Sequence, residues 1–308
     1  MVSFEVVVGW SPVHELLASF WAFTDHRLAK HLDIDRRWRS DAAEQLGLSS
    51  VEFLNLYARD SKARLCVHAL LRECPEPMIP ERFLDWLGKL SGEDILRYRL
   101  PWLPQPRDVR ESLSKWRDDL VAALKIWNHG YFSSVDSTIM RSLEMESRTR
   151  SSAIAREDPQ NAVEDATNGI YLQEDLGIEK VLLTPQYHCR PYNIYDRLAN
   201  TAFYMYPIDL QSAADGDPPA RLERLARAFS DPGRLRVLRF LNGQARSFTE
   251  ILKFTGLAKS TVNYHMVVLR AAGIVRVIET RNGSLYTLRP GYHTGIGDLV
   301  RHYVEDRD

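Results

Sequence analysis

The stretch Ser247–Gly273 constrains the fold of this chain more than any other part of the sequence. Ser247 and Glu250 have the spacing of a capping box, in which each side chain bonds a free backbone N–H of the other residue at a helix start. Gly256 favours the left-handed conformation that ends a helix. The stretch therefore predicts two helices joined by a tight turn, which is the pattern of a helix-turn-helix.

The second helix of this pattern has an apolar and a polar face. Residues four and seven positions apart form its predicted buried stripe: Val262, Met266 and Leu269. The polar face carries amide, hydroxyl and ammonium groups of the kinds that bind base edges and phosphates in the major groove. The predicted DNA-contacting residues of this face are Lys259, Ser260, Thr261, Asn263 and Tyr264. For Ser260, a purely local role as the N-cap of the helix is the alternative.

Four further residues are predicted to lie at the DNA surface. His265 and Arg270 are predicted to contact the DNA backbone or to have a structural role. Residues 274–288 predict two strands joined by Asn282 and Gly283, a pair that favours a hairpin turn with positive φ at both positions. Arg281 and Asn282 at the tip of this β-wing are predicted to reach phosphate or the minor groove, although the turn alone explains Asn282.

The distribution of charge supports a polyanionic partner. The formal net charge is −1, yet residues 220–292 contain 13 Lys or Arg against 4 Asp or Glu. The rest of the chain contains 27 basic and 37 acidic residues. A basic segment in an acidic chain indicates a localised anion-binding surface, although solvation of one face is the alternative reading. Its coincidence with a helix-turn-helix pattern favours double-stranded DNA.

The 308 residues predict two or three domains in an α+β, mostly helical chain. Residues 1–211 predict a mainly helical sensor or regulatory domain with short strands near 2–8 and 169–208 that form one small sheet. Residues 212–220 are small, acidic and proline-bearing, which is typical of a linker. Residues 221–308 predict the C-terminal winged helix-turn-helix domain.

Aromatic residues dominate the predicted N-terminal domain. All 7 tryptophans lie between positions 10 and 127, several of them at helical spacing with leucines. This pattern predicts a helical core rich in aromatic rings. The alternative is that some rings line a pocket for an apolar or planar ligand.

The order helix, helix, helix-turn-helix and β-wing resembles the winged-helix domain of the ArsR/SmtB family of bacterial transcription regulators. The residues that carry the resemblance are LARAFSDPGRLRVLRFL (225–241), STVNYHMVVLRAAGIVR (260–276) and the wing turned at RNG. The resemblance covers about a third of the chain. Residues 1–211 more loosely resemble an uncharacterised domain that precedes such winged helices in some bacterial regulators.

The ArsR/SmtB resemblance implies a homodimer whose recognition helices enter successive major grooves, and release from DNA under the control of an effector. We expect a repressor that is controlled at the N-terminal domain by an effector or a partner, and a small molecule is one candidate for that effector. The candidate dimer residues are Leu222, Leu225, Phe229, Leu299 and Tyr303. The family's metal-binding cysteine pair is absent from SFTEILKFTG, and His302 with Glu305 lacks the upstream Asp-x-His. We therefore predict no metal site and no cofactor.

No pattern of catalytic residues supports an enzyme. Cys66 with His68 and His188 with Cys189 lack metal-ligand spacing, and neighbouring side chains of a strand point to opposite faces. We predict no catalytic residue and no enzyme. The alternatives are a protein-interaction winged helix attached to a ligand-binding or enzymatic N-terminal domain, and a DNA-regulated enzyme in residues 1–210.

The apolar runs and the cysteines bear on where the chain resides. No apolar run reaches the length of a membrane-spanning helix, and the sequence begins without the pattern of a secretion signal. The chain contains 3 cysteines, too few for a disulfide scaffold. We therefore expect a cytoplasmic protein without membrane contact.

Overall fold

A computed structural model describes residues 4–29, 32–35, 37–59, 70–99, 109–210 and 216–305. The described residues form an α+β, mostly helical fold, as predicted. The chain divides into two compact units. The helical unit comprises Val7–Ala155 and Lys180–Ile208, and the winged-helix unit comprises Met1–Val6, Arg156–Glu179 and Asp209–Asp308.

The helical unit is made mainly of helices from the first half of the chain. They are α1 (Pro12–Thr24), α2 (His26–Ala29), α3 (Trp38–Leu46), α4 (Leu48–Arg59), α5 (Pro80–Lys89), α6 (Gly92–Arg99), α7 (Val109–Gly130) and α8 (Ser137–Ile154). Ser11 is the N-cap of α1, and Pro12 follows it at the first helical position, where its fixed φ favours a helix start.

Aromatic rings fill the core of the helical unit. Trp127 of α7 is fully buried, and its ring centroid lies 4.8 Å from that of Phe23 and 6.3 Å from that of Phe20, both on α1. The indole N–H of Trp127 donates to Ser19 Oγ at 3.0 Å. The prediction of an aromatic-rich helical core is confirmed for these residues.

The winged-helix unit contains α9 (Pro159–Ala166), α10 (Ala220–Phe229), α11 (Pro232–Leu241), α12 (Phe248–Thr255), α13 (Lys259–Ala271) and α14 (Ile296–Glu305). Arg234 of α11 is buried and caps the end of α10, because Nε donates to Ala228 O at 3.1 Å and Nη2 to Arg227 O at 2.6 Å. Asp231 is the N-cap of α11, and its side chain accepts from the Arg234 backbone N–H at 2.9 Å.

The strands form two four-stranded sheets. The strands are β1 (Glu5–Val8), β2 (Ile170–Leu172), β3 (Lys180–Gln186), β4 (Ile194–Leu198), β5 (Thr201–Pro207), β6 (Arg246–Ser247), β7 (Val275–Thr280) and β8 (Gly283–Leu288). One sheet has the order β1-β3-β5-β4, in which β3 and β5 are parallel. The other has the order β2-β7-β8-β6 and contains the wing hairpin β7–β8.

The grouping of strand β2 differs from the prediction. The sequence placed all strands of 169–208 in one sheet with the strand near 2–8, within a domain 1–211. Instead β2 lies parallel to β7, with Ile170 opposite Val277, so residues 156–179 join the winged-helix unit. The physical reason is that an apolar strand pattern predicts a strand and its buried face but not its partner.

The predicted linker 212–220 is described only in part, because residues 211–215 lie outside the described residues. The helix that follows it, α10, begins at Ala220.

Candidate nucleic-acid interface

The first helix and turn of the helix-turn-helix form as predicted. The Ser247 backbone N–H donates to Glu250 Oε2 at 2.8 Å, and the Glu250 N–H donates to Ser247 Oγ at 3.3 Å. The backbone N–H and the hydroxyl of Ser247 both donate to the Glu250 carboxylate and hold the pKa of Glu250 below its usual value, the backbone N–H being the larger cause. Gly256 ends α12 in the left-handed conformation with φ 65°. The capping box and the glycine stop are both confirmed.

The second helix, α13, places its two faces as predicted. Val262 and Leu269 are fully buried, and Met266 is nearly so. The residues of the opposite face are exposed: Lys259, Ser260, Thr261, Asn263 and Tyr264. Positions 259 and 263, and positions 260 and 264, are four residues apart, so these side chains share one surface of the N-terminal turns.

The structure does not support the alternative that Ser260 is the N-cap of α13. The N-cap is Ala258, and Ser260 lies inside the first turn, so Ser260 is not the cap. The Ala258 side chain carries no acceptor for the first N–H groups of the helix. The free N–H groups give this helix start a partial positive charge, which lies beside the exposed Lys259. Together these two positive groups favour the binding of an anion.

His265 does not belong to the exposed face. It is 6% exposed, and its Nε2 lies 4.0 Å from Oδ1 of Asp231 at the start of α11. Burial lowers the pKa of His265 below its ordinary value, and the Asp231 carboxylate opposes that shift. Of the two predicted roles of His265, the buried ring fits the structural role and not DNA contact, because its helical phase turns the ring towards α11.

Arg270 is half-buried near the end of α13. Its carbonyl oxygen accepts from Asn168 Nδ2 at 3.4 Å, which places this end of the helix against residues 156–179. The predicted set of DNA contacts on α13 is thus brought together at the first two turns, and Arg270 lies apart from it.

The wing hairpin forms, but its turn differs from the prediction. Thr280 pairs with Gly283, so the two turn residues are Arg281 and Asn282. Among the described residues only Asn168 and Ala199 are non-glycine residues with positive φ, so Asn282 is not left-handed, and the positive φ of 119° falls on Gly283. Arg281 and Asn282 are both exposed, as predicted for the wing tip.

The predicted dimer residues lie in different surroundings. Leu225 is 3% exposed within the core of the winged-helix unit. It is therefore not accessible to a second chain, in contrast to its prediction as a dimer residue. Phe229 and Leu299 are half-buried and pack against the same core, and Leu222 is half-buried. Tyr303 is 40% exposed, and its hydroxyl donates to Gly216 O at 2.9 Å.

The basic surface is smaller than the charge count suggests. Glu164 of α9 binds Arg276 of β7 through two bonds, from Nε at 2.9 Å and from Nη2 at 2.7 Å. Arg289 lies with its Nε 3.4 Å from Glu164 and also pairs with Asp165. These two arginines are therefore held by acidic residues from 156–179, a segment that the sequence count did not group with the wing.

A second group of ionisable side chains lies in the helical unit. The fully buried Glu15 accepts from the backbone N–H groups of Tyr187 and His188 at 3.0 Å each, and pairs with His188 Nδ1. His188 Nε2 lies 2.8 Å from the hydroxyl of Tyr131, which also accepts from Trp38 Nε1 at 2.5 Å. Burial raises the pKa of Tyr131 to about 12. The members of this group bond one another within the core.

The candidate cysteine and histidine pairs are placed as follows. His188 and Cys189 lie in a turn after β3 and not on a strand, so the strand argument for them was wrong. Cys189 Sγ donates to Ala18 O at 3.1 Å. Cys66 and His68 lie outside the described residues. On the terminal helix, His302 is exposed and its Nδ1 lies 2.7 Å from Asp298 O.

Metal-binding clusters and membrane-spanning helices are both absent from the described part of the chain. Among these residues no group of three or more His, Cys, Asp or Glu is arranged to hold a metal ion. No helix of this part is long and apolar enough to cross a membrane.

Three residues that contact the helix-turn-helix and wing were missed by the sequence analysis: Glu164, Asn168 and Asp175. Asp175 Oδ2 accepts from the backbone N–H of Arg281 at 3.0 Å, at the wing tip. A signal did exist for one of them, since Asn168 is followed by Gly169, and such a pair favours left-handed backbone. Asn168 has φ 59°.

The geometry of α11–α13 with β7 and β8 defines a winged helix-turn-helix, the class of domain typical of DNA-binding regulators. A family model of the helix-turn-helix domain matches residues 229–278, which span α11, α12, α13 and the start of β7. The chain therefore carries a helix-turn-helix domain in its C-terminal third. No curated protein and no solved structure matches the chain.

We predict that His265 contributes stability at neutral pH that is lost in acid. Its pKa in the folded protein lies below the ordinary value of 6.5, so the unfolded chain binds the proton more readily. The contribution is complete above about pH 6.5 and decreases as the pH falls towards the folded-state pKa. Protection factors from amide hydrogen exchange in α13 should fall on acidification less steeply in His265→Gln than in the wild type.

The exposed His129 of α7 provides the control for this experiment, because His129→Gln removes an imidazole outside the winged-helix unit. It should leave the pH dependence of α13 protection unchanged. Equal pH dependence in the wild type and His265→Gln would contradict the prediction.

Proposed function

We propose that the protein is a sequence-specific DNA-binding transcription regulator. The observation that carries this proposal is the exposed face of α13, where Lys259, Asn263 and Tyr264 lie on the second helix of a helix-turn-helix. The side chains of such a helix enter the major groove, where base edges present donors and acceptors. Helices that serve as interaction modules expose mainly apolar groups, whereas this face is polar.

Each exposed group suits a different part of DNA. The Asn263 amide can donate to and accept from adenine in a bidentate pair, and the Ser260 hydroxyl can bond either kind of base edge. Lys259 beside the helix start suits a phosphate or a guanine. Arg281 and Asn282 at the wing tip suit a neighbouring phosphate or the minor groove. Thr261 completes the polar face of the first turn.

We further infer the mode of regulation from the ArsR/SmtB resemblance. It supports a homodimeric repressor that leaves its operator when an effector acts on the helical unit. A small molecule is the effector we propose, because the resembling metal sensors use ligands that this chain lacks. The cysteine content supports a reducing cytoplasm as its location.

We expect Asn263→Ala and Tyr264→Ala each to weaken specific DNA binding by about 1–3 kcal/mol, because each removes a proposed base contact. The duplex is first selected from a random-sequence pool with the wild-type protein. Affinity is then measured by fluorescence anisotropy on that duplex and on an unrelated duplex of equal length. Circular dichroism checks that the fold is intact. Unchanged affinity of both folded variants for the selected duplex would refute this assignment of α13.

We expect a steep loss of affinity with rising salt, because phosphate contacts release counterions from DNA. Lys259→Ala should reduce the slope of log affinity against log salt by about 1. The exposed Lys125 of α7 offers a charge-matched control, and Lys125→Ala should leave the slope unchanged. A salt-independent affinity of the wild type would argue against DNA as the partner.

We expect α14 to mediate the proposed dimer. Val300, Tyr303 and Val304 of this helix are 42%, 40% and 62% exposed, so the helix presents apolar groups outside its own core. The double variant Val300→Lys with Val304→Lys should convert a dimer to a monomer in sedimentation velocity, because it places two charges in the apolar contact. Met145→Lys, at a 63% exposed apolar residue of α8, is the control. A monomeric wild type would exclude the dimer.

A protein-interaction function of the winged helix is the second candidate. Leu235 and Phe254 are 45% and 48% exposed, and the rings of Phe240 and Phe254 stack with centroids 4.0 Å apart. These apolar groups lie on α11 and α12 and not on the polar face of α13. The absence of any selected duplex, together with a salt-independent response, would favour this candidate over DNA binding.

A further inference from the structure

We call α13 and the wing β7–β8 together the DNA reader, because they carry the proposed DNA contacts. The segment 159–176 contains α9 and β2 and contacts the DNA reader at three places. We refer to this segment as the α9–β2 segment. The first place is the end of the recognition helix α13, where Asn168 Nδ2 donates to Ala271 O at 3.1 Å and to Arg270 O at 3.4 Å. The last carbonyl groups of a helix have no partner within the helix. Arg270 O also accepts from the Gly273 N–H at 2.9 Å, so Asn168 acts as a C-terminal cap chiefly at Ala271 O, supplied from about 100 residues upstream.

The second place is the base of the wing. Glu164 is 5% exposed and is held by Arg276 of β7 in a bidentate pair. Strand β2 adds a parallel edge to β7, and the Val277 N–H donates to Gly169 O at 2.7 Å. A side chain at position 169 would lie 2.8 Å from Val275 O, so the close approach of the two strands requires glycine. A buried carboxylate is stable only with its partners, so the pair of Glu164 with Arg276 holds α9 against β7.

The third place is the wing tip. Asp175 Oδ2 accepts from the Arg281 backbone N–H at 3.0 Å, and the Gln173 N–H donates to Glu279 O at 3.1 Å. Arg281 is one of the two exposed turn residues. The acceptor for the Arg281 N–H thus comes from the α9–β2 segment, whereas the Asn282 N–H donates to Thr280 Oγ1 within the hairpin at 3.1 Å.

The chain connects this segment to the helical unit at both ends. The division between the units falls at Ala155/Arg156 before the segment and at Glu179/Lys180 after it. A rearrangement of the helical unit that displaced either connection would act on the segment through the backbone. Displacement of the segment in turn breaks the cap of α13, the support of β7 and the bond at the wing tip.

We propose that the α9–β2 segment is the element that positions the DNA reader and transmits the state of the helical unit to it. Asn168, Glu164 and Asp175 are positioning residues in this mechanism, because they act on DNA binding through α13 and the wing. The proposal rests on the proposed function for its DNA readout. Its structural readout, the hydrogen exchange of α13 and of the wing, does not require DNA.

Asn168→Gly tests the cap on α13. Glycine accepts the left-handed backbone at φ 59° but removes the amide, so hydrogen exchange at the end of α13 should rise and affinity for the selected duplex should fall by about fivefold. Ala199→Gly is the matched control, since Ala199 has φ 48° in the turn between β4 and β5 of the helical unit. It should change neither readout.

Asp175→Ala tests the wing tip on an exposed side chain whose loss does not threaten the fold. Exchange of the Arg281 amide should rise because its acceptor is lost, whereas the Asn282 amide keeps Thr280 Oγ1 as its acceptor. Asp175→Asn keeps an acceptor oxygen and removes the charge, so it should restore the exchange of the wild type. If Asp175→Asn behaves like Asp175→Ala, charge and not position is the cause, and the positioning role is overturned.

Glu164→Gln tests transmission, because the coupling between two sites is reciprocal. Saturation of the wild type with the selected duplex should change hydrogen exchange within the helical unit, and Glu164→Gln should reduce that change. If Glu164→Gln does not fold, Asn168→Gly serves for the same comparison. A DNA-bound wild type with unchanged exchange throughout the helical unit overturns transmission.

The outcomes separate this inference from the proposed function. If Asn263→Ala abolishes specific binding while Asn168→Gly changes neither affinity nor exchange, DNA recognition stands and the positioning role fails. If the wild type selects no duplex, the proposed function fails. Unchanged exchange in both Asn168→Gly and Asp175→Ala then overturns the positioning role as well, and increased exchange in both supports it.

Discussion

The pairing of Glu164 with Arg276 is the interaction on which the arrangement of the winged-helix unit depends. Glu164 is buried, and an isolated carboxylate in such surroundings is costly, so its arginine partners cannot be removed without a large loss of stability. The pair joins α9 to β7 and holds β2 in register on the edge of the wing sheet. The same carboxylate lies 3.4 Å from Arg289 Nε, beyond the end of β8. One acidic side chain therefore links α9, and with it the following strand β2, to β7 and to the residue that follows β8.

Local features of the fold were predictable because the atoms that cause them are close in sequence. The capping box at Ser247, the left-handed stop at Gly256 and the buried stripe of α13 each depend on residues within two helical turns. The wing hairpin follows from two apolar runs around a short polar turn, although the register moved the turn to Arg281 and Asn282. The exposed polar face of α13 was predictable for the same reason, since helical phase alone determines it.

Features that depend on distant residues were not predictable from the pattern. Nothing near Ile170 indicates that its strand pairs with Val277, and nothing near Arg276 indicates a carboxylate from α9. The count of basic residues consequently overstated the free positive charge of the wing. His265 was misplaced because its partner, Asp231, lies on another helix. In the helical unit, His188 was compared with its neighbour Cys189, whereas its carboxylate partner is Glu15, 173 residues earlier.

The discontinuous path of the winged-helix unit has a consequence for the order in which it forms. During synthesis Glu164 and Asn168 leave the ribosome before α13 and β7 exist, and they wait about 100 residues for their partners. Contacts of such long sequence separation form slowly. A C-terminal fragment beginning at α10 would contain every residue of the recognition helix and the wing, yet it would lack the strand and the cap that complete them. Two separate stretches of the chain thus form the winged-helix unit. The earlier stretch supplies the supporting contacts, and the later one supplies the exposed surface of α13 and the wing.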